Sequence, residues 1–257
     1  MPNSVQAQPL TPPDVMFSQH GDMLYLHLGS EWVQGAMRIE APFDIAQEYL
    51  RRMMAWLLFC EPADVPGRHA MQLGMGGATL TKFHFKRLRM RTTAVEINPK
   101  VVAACRSDFH LPPDGAGLTV VIGDAAAVIR DPEWIGTVDA LQVDLYDDAV
   151  AAPVLDSAGF YADCRSLLSE AGVMAVSIFG AHCDRVGSIA RIAGAFGAEA
   201  VRVFDTTPNG QTVLLAVRAP KNIPSGEVLA VRAQTVERLW GLPASEWLPL
   251  LRPVAPS

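Results

Sequence analysis

The chain has 257 residues, half of them hydrophobic, and a formal net charge of −6 at pH 7. This composition is ample for a packed core, and the length suits one medium-sized domain with an appendage or two small domains. Because no long basic run offsets the acidic balance, nucleic acid is not expected as a partner, whereas a cationic substrate is compatible with the charge.

The cysteines and the hydropathy pattern predict a cytoplasmic protein. Cys60, Cys105, Cys164 and Cys183 are far apart and form no C-x-x-C pair, so we expect reduced, buried thiols and neither a disulfide framework nor a zinc site. No charged segment followed by an apolar core opens the chain, and no apolar run reaches the roughly 18 residues that a membrane span needs. A membrane partner is therefore not expected.

The first quarter of the chain predicts a leader and a small domain. Residues 1–14 are rich in Pro and Gln and are expected to be disordered. Residues 15–66 predict a small N-terminal domain, in which apolar runs at 23–28 and 32–39 flank Gly-Ser as a β-hairpin does. A helix is predicted over 44–60, because its apolar residues recur at helical spacing.

Residues 67–220 alternate between strand and helix patterns, which predicts an α/β domain with a Rossmann-like, mostly parallel sheet of seven strands. The last two strands surround a Pro-Asn-Gly turn and add an antiparallel hairpin. The predicted strands are 69–73, 92–95, 118–122, 138–143, 173–179, 200–204 and 212–217. Residues 221–257 predict a C-terminal helical extension, with helices at 227–239 and 244–251.

Four successive strands of this domain end in residues suited to binding a nucleoside. The first is followed by the turn Gly74-Met75-Gly76-Gly77, and the next three end at Glu96, Asp124 and Asp144. Ligands of open α/β sheets bind beyond these carboxyl ends, where glycines allow close approach and an acid accepts hydrogen bonds from ribose hydroxyls. Each acid also has a plainer interpretation, because Glu96 and Asp124 precede predicted helices and can cap them.

The glycine turn does not match the dinucleotide fingerprint. The third glycine of that fingerprint would fall at Thr79. Glu96 lies 19 residues past Gly77, near the spacing of roughly 20 found in nucleoside-binding units. This pattern favours a ligand with one nucleoside and no pyrophosphate, such as S-adenosylmethionine or a relative.

Several of these motifs resemble the spermidine synthase family of polyamine aminopropyltransferases, within the S-adenosylmethionine-dependent methyltransferase fold class. The similarity is strongest in Leu-Gly-Met-Gly-Gly at 73–77, Ala-Val-Glu-Ile-Asn-Pro at 94–99, Val-Ile-Gly-Asp-Ala at 121–125 and Val-Asp-Ala-Leu-Gln-Val-Asp at 138–144. The family fold joins a small β-rich N-terminal domain to a seven-stranded Rossmann-like sheet, commonly as a homodimer. The resemblance therefore implies a homodimeric transferase.

For the nucleoside donor, the resemblance implies a site built on strand ends. Gly74, Gly76 and Gly77 would form the turn against the donor. Glu96 would bind the ribose hydroxyls. The edge of the adenine would be read by the side chain of Asp124 and the backbone of Ala125.

For the amine acceptor, the resemblance implies that Asp144 accepts a hydrogen bond from the attacking amine and helps to deprotonate it. Asp147 and Tyr49 would hold the amine, and Gln34 would lie near the donor or the tail of the substrate. The implied reaction is an in-line displacement at the carbon next to a sulfonium, which needs no metal. The donor would be decarboxylated S-adenosylmethionine or S-adenosylmethionine itself.

The chain departs from the family pattern at three places, one of which is that the acidic pair preceding the family's tyrosine is not evident before Tyr49. The family has Asp where this chain has Gly77, and His-Glu where it has Leu50-Arg51. Aminopropyl transfer to a polyamine is the first interpretation, supported by Asp144 and Asp147. A methyltransferase is the alternative, because a cofactor carboxylate would meet no negative neighbour at Gly77. A non-catalytic nucleoside-binding protein is a third possibility.

Overall fold

A sheet of eight strands forms the centre of the protein, and a separate sheet of three strands lies N-terminal to it. The computed structural model describes residues 13–147, 155–180 and 183–254, together with the backbone of 152–153. The strands are β1 (Val15–His20), β2 (Met23–Leu28), β3 (Val33–Arg38), β4 (His69–Leu73), β5 (Arg91–Glu96), β6 (Leu118–Ile122), β7 (Val138–Val143), β8 (Tyr146–Asp147), β9 (Ala152–Pro153), β10 (Leu168–Ile178), β11 (Val201–Phe204), β12 (Thr212–Val217) and β13 (Leu251–Pro253). The α-helices are α1 (Glu48–Met53), α2 (Thr79–Lys82), α3 (Pro99–Ser107), α4 (Ala125–Val128), α5 (Ala158–Leu167), α6 (Arg185–Phe196), α7 (Gly226–Trp240) and α8 (Ala244–Trp247).

The large sheet has the strand order β13-β11-β12-β10-β7-β4-β5-β6. Strands β10, β7, β4, β5 and β6 run parallel, whereas β12, β11 and β13 are added in antiparallel pairings. The α/β architecture predicted from the sequence is thus confirmed. An eighth strand, β13, pairs with β11 where the sequence pattern predicts the end of a helix. Pro253 is tolerated there because β13 is an edge strand, in which a residue without a backbone N–H need not donate to a further strand.

The N-terminal sheet has three antiparallel strands in place of a two-stranded hairpin. Strand β1 pairs along the full length of β2, from Val15↔Leu28 to His20↔Met23. The sequence of β1 does not predict a strand, because it lacks an apolar face, and five of its six residues are exposed in the structure. Leu26 and Met37 attach the inner face of this sheet to the core around α3.

A helical segment lies over one face of the large sheet. It consists of α1 and a 3-10 segment, Met54–Phe59, where the sequence pattern predicts one continuous helix. Every residue of the 3-10 segment is buried, and small strand residues, including Ala70, Ala140 and Ala175, allow it to approach the sheet. This packing fixes α1, and with it Tyr49, above the carboxyl end of β7. No helix in the described ranges is long and apolar enough to cross a membrane.

Candidate active site

The carboxyl ends of the central strands meet at one edge of the sheet. Hydrogen bonds continue past the strands there, from Gly74 N to Val95 O at 2.9 Å and from Asp144 N to Leu73 O at 3.0 Å. Gly74 has a φ of +80°, and a Cβ at this position would lie 2.3 Å from the Asp144 carbonyl oxygen. Glycine is therefore required here, because only it combines this conformation with so close a contact.

The glycine turn also packs directly against strand β3 of the N-terminal sheet. A Cβ on Gly76 would lie 2.5 Å from the Gln34 carbonyl oxygen, and a Cβ on Gly35 would lie 2.3 Å from Gly77 N. Strand β3 thus crosses the turn with backbone against backbone. This contact brings Gln34, from the small sheet, to the same edge as Asp144.

The environment of Gly77 accounts for its departure from the family pattern. A Cβ there would lie 3.1 Å from the ring of Phe109 and 3.2 Å from the Cα of Gly35. These distances are tighter than ordinary van der Waals contacts, so an aspartate would require β3 or the ring to move. The missing carboxylate and the close approach of β3 are therefore two aspects of one packing arrangement.

Glu96 is buried beneath the glycine turn and joins it to the start of α3. Its Oε2 accepts a hydrogen bond from Met75 N at 3.0 Å, and its Oε1 accepts one from Asn98 N at 2.9 Å. Burial raises the pKa of the Glu96 carboxyl, and these amide hydrogen bonds act in the opposite direction. A carboxylate has about four acceptor sites, so both oxygens retain capacity for ligand hydroxyls. The N-cap of α3 is Asn98, whose side chain accepts a hydrogen bond from Lys100 N at 2.9 Å, so Glu96 holds the cap residue and does not itself cap the helix.

Asp124 caps α4 and lies exposed at the same edge. Its Oδ1 accepts a hydrogen bond from Ala126 N at 2.9 Å, while Ala125 is buried beneath it. Two large apolar side chains accompany these acids: Ile97 is 67% exposed and Ile122, which pairs with Glu96, is 56% exposed. Sequence reasoning missed both isoleucines, although apolar residues beside strand-end acids are a readable signal for a surface that packs on a planar base.

Asp144 and Tyr49 form the polar pair of the site. The Tyr49 hydroxyl donates to Asp144 Oδ2 at 3.1 Å, across 95 positions of sequence. Burial raises the pKa of Asp144 to about 6, against the lowering effect of hydrogen bonds from Tyr49 and Ser177. Burial, followed by the nearby Asp144 charge, holds the pKa of Tyr49 well above its ordinary value. Asp144 can therefore exchange a proton near neutrality while Tyr49 remains a donor.

Interactions of its own helix orient Tyr49. The adjacent Glu48 pairs with Arg52, which is buried and donates to the Asp205 carbonyl oxygen at 2.5 Å. The Arg52 guanidinium also lies 5.5 Å from the centre of the Phe204 ring. This anchor ties α1 to the end of β11 and limits where the Tyr49 ring can point.

These groups surround a narrow, partly open cleft. Of the residues named from the sequence or the resemblance, Gln34, Tyr49, Gly76, Gly77 and Asp144 line it. Gly74, Glu96, Asp124 and Ala125 are not among its lining residues. The remaining described lining residues are Gly35, Gln47, Leu50, Gln72, Met75, Thr79 and Leu80. Asp144 is the one acid among the described lining residues, and amides replace carboxylates elsewhere.

Two buried glutamines extend under the cleft and were not singled out from the sequence. Gln72 donates from Nε2 to the Gly74 carbonyl oxygen at 2.8 Å and accepts from Thr81 Oγ1 at 2.5 Å. Gln142 lies beside it in the parallel register and is fully buried. Neither amide atom of Gln142 has a hydrogen-bond partner among the described residues. Both glutamines lie in strands whose other residues are mostly hydrophobic, so the sequence pattern indicates a buried strand and does not single them out.

The predicted role of Asp147 is outside what the structure describes. Its backbone belongs to β8 and pairs with Ala152, but its side chain is not among the described groups. Asp148 also lies outside the described residues. Within the described ranges, no group of three or more His, Cys, Asp or Glu side chains could hold a metal ion.

Comparison with known proteins gives two curated relatives along nearly the whole chain. A polyamine aminopropyltransferase of Chromobacterium violaceum is 31% identical over 241 residues, which cover 93% of this chain and 90% of that protein. A polyamine aminopropyltransferase of Neisseria meningitidis serogroup A is 29% identical over 231 residues, which cover 90% of this chain and 86% of that protein. No protein-family model matches the chain.

Solved structures share the fold at lower identity. A probable spermidine synthase from Corynebacterium glutamicum has a TM-score of 0.70 and 18% identity, covering 91% of this chain and 88% of its own. Human Methyltransferase-like protein 13, solved in complex with SAH, has a TM-score of 0.68 and 19% identity, covering 76% and 92%. A spermidine synthase in complex with the transition-state analogue AdoDATO has a TM-score of 0.59 and 18% identity, covering 89% of each chain.

The curated relatives decide between the families that share this fold. Solved structures at such low identity establish the methyltransferase-like architecture alone. The sequence match to the Chromobacterium violaceum protein, at 31% identity, spans nine-tenths of both chains. The chain therefore belongs to the polyamine aminopropyltransferase family.

Proposed function

We propose that the protein transfers an aminopropyl group from decarboxylated S-adenosylmethionine to a polyamine acceptor. The observation that carries this proposal is the Asp144–Tyr49 pair, which faces the glycine turn from the end of β7. Family membership supports the same reaction, and a spermidine synthase of the same fold has been solved with a transition-state analogue.

In this proposal the strand ends hold the adenosyl part of the donor. Glu96 accepts hydrogen bonds from the ribose hydroxyls with the acceptor capacity left after its two amide contacts. Asp124 and the backbone of Ala125 read the adenine edge, with Ile97 and Ile122 packing against the base. Gly74, Gly76 and Gly77 keep the turn close to the donor because no Cβ intervenes.

Asp144 acts as the base at the reacting centre. An alkylammonium acceptor must lose a proton before its nitrogen can attack, and a carboxylate with a pKa of about 6 can accept that proton at neutral pH. The nitrogen then bonds to the carbon beside the sulfonium, and the carbon–sulfur electron pair leaves with sulfur to give a neutral thioether. Tyr49 orients Asp144 through the hydrogen bond from its hydroxyl.

Methyl transfer is the second candidate, and one observation favours it. The packing around Gly77 disfavours the aspartate that the family pattern has there, because a side chain would require Phe109 or β3 to shift. Without that negative group, discrimination against the carboxylated cofactor is weaker, because like charges repel more strongly as water is excluded. The proposal of aminopropyl transfer therefore has a direct competitor that uses the same nucleoside site.

The products distinguish these candidates. The protein is incubated with decarboxylated or intact S-adenosylmethionine together with putrescine, cadaverine or spermidine, and the nucleoside product is identified by mass. Aminopropyl transfer gives methylthioadenosine, whereas adenosylhomocysteine alone would establish methyl transfer. Donor binding without turnover on any amine would favour a nucleoside-binding protein. The Asp144→Asn variant controls for uncatalysed breakdown of the donor.

A further inference from the structure

Three aromatic side chains contact one another near the carboxyl ends of the central strands and form what we term the aromatic mouth: Trp32, Tyr146 and Phe179. The Trp32 and Phe179 ring centres are 6.2 Å apart in an edge-to-face arrangement, and those of Tyr146 and Phe179 are 5.2 Å apart at an interplanar angle of 48°. The Trp32 side chain is 57% exposed, whereas the other two rings are half-buried. Ring surface is therefore available to a ligand.

The aromatic mouth adjoins the reacting centre. Tyr146 is two residues beyond Asp144, and Phe179 is two residues beyond Ser177, whose hydroxyl bonds to Asp144. Two residues of extended chain span at most about 7 Å, so both rings begin within reach of the cleft. Trp32 precedes the cleft residue Gln34 by the same interval and contacts Phe179 directly. Each ring thus belongs to a segment that also supplies Gln34, Asp144 or Ser177 to the site.

The charges of the cleft indicate what kind of group the aromatic mouth could bind. Asp144 is the one acid among the described lining residues, and it is assigned to the reacting nitrogen. A diamine acceptor carries a second ammonium group at its far end, and the described lining residues include no second carboxylate for it. The faces of Trp and Tyr rings attract such cations through their quadrupoles, and the intervening methylene groups pack on aromatic surface.

We propose that the aromatic mouth binds the distal ammonium group of a diamine acceptor by cation–π contact. This inference rests on the proposed function and adds how the acceptor is selected. The far end of the acceptor is recognised by its charge, through the faces of the rings. Trp32 contributes most, since tryptophan has the strongest cation–π attraction of the three rings and is the most exposed.

The test compares two amines that differ only at the far end. In 1-aminopentane a methyl group replaces one ammonium of 1,4-diaminobutane, so the two have similar length. Each is titrated by calorimetry into wild type and Trp32→Leu with methylthioadenosine present, so that the readout does not require turnover. We expect Trp32→Leu to weaken diamine binding by about 3- to 30-fold, to leave 1-aminopentane within about twofold, and Trp32→Phe to lie between wild type and Trp32→Leu.

Trp134→Leu is the matched control. Trp134 is half-buried and contacts His69, at the opposite edge of the sheet, so neither amine should respond to its replacement. Equal losses for both amines in Trp32→Leu would make the mouth an apolar subsite, and unchanged affinities would show that it does not contact the acceptor. Either result overturns the inference.

Turnover separates this inference from the function on which it rests. If wild type forms no methylthioadenosine with any amine, the proposed function fails. The binding comparison would then still test whether the aromatic mouth contacts the amine. If wild type forms it and Trp32→Leu shows no loss specific to the diamine, the inference fails alone.

Discussion

In the proposed function, backbone forms the side of the cleft assigned to the nucleoside, whereas side chains from distant parts of the chain form the side assigned to the amine. On the nucleoside side, Gly74 contacts the Asp144 carbonyl and Glu96 accepts hydrogen bonds from two main-chain amides. On the amine side, Tyr49 and Asp144 meet from elements 95 positions apart. We infer that the first side gives a general adenosyl site, and that the second determines which reaction follows.

The largest expected effect is on turnover, from the amine side. Asp144→Asn keeps the size of the side chain but removes the base, so we expect turnover to fall by roughly 10²–10⁴-fold with donor affinity little changed. Steady-state kinetics and calorimetry measure the two quantities. Asp163→Asn, in a surface ion pair with Arg130, is the control. Near-normal turnover of Asp144→Asn would remove Asp144 from the mechanism.

The opposite pattern is expected from the nucleoside side. Glu96→Ala removes a carboxylate that accepts charge-assisted hydrogen bonds, so the binding of any adenosylsulfonium ligand should weaken by on the order of 1.5–3 kcal/mol. Calorimetric titration measures this loss. Unchanged affinity would reduce Glu96 to a residue that joins the glycine turn to α3, and the two sides of the cleft would no longer differ as described.

Asp144 should also lower stability at high pH. Its folded-state pKa of about 6 lies above the ordinary 3.8, so its contribution to stability is fully present below about pH 4 and is lost as the pH rises through 6. Asp144→Asn stays neutral throughout, and we expect it to be more stable than wild type by about 1–3 kcal/mol at pH 8. Denaturant midpoints across pH test this, and a difference that does not vary with pH would contradict it.

The smallest expected effect concerns the buried glutamine below the cleft. Gln142 is fully buried without a protein partner for its amide among the described residues, and burying such a group is costly. We expect Gln142→Leu to raise the free energy of unfolding by on the order of 1 kcal/mol. Gln72→Leu is the contrasting variant and should destabilise, because its amide bonds to Gly74 and Thr81. Destabilisation by Gln142→Leu would show that its amide is satisfied.

The sequence predicted what depends on local pattern. The alternation of strands and helices, the glycine turn and the strand-end acids follow from periodicity and turn chemistry, and the fold they imply is confirmed. The approach of Tyr49 to Asp144 depends on how a buried helical segment packs on the sheet, and here the resemblance to the family supplied what periodicity does not.

Other features escaped prediction for physical reasons. Strand β1 lacks an apolar face, and the glutamines lie within hydrophobic strands. The aromatic mouth comes together from three separate segments. The domain boundary near residue 67, the homodimer, the cytoplasmic location and the role of Asp147 stay predictions.

The central claim is that Asp144, oriented by Tyr49, is the base that the amine side contributes. The most direct measurement is the pH dependence of kcat/KM for a diamine in wild type and Tyr49→Phe. The account predicts that activity falls below an apparent pKa of about 6 in wild type, and that this pKa rises in Tyr49→Phe because a hydrogen bond that lowers it is lost. A wild-type profile without this acidic limb, or an identical limb in both proteins, would contradict the claim.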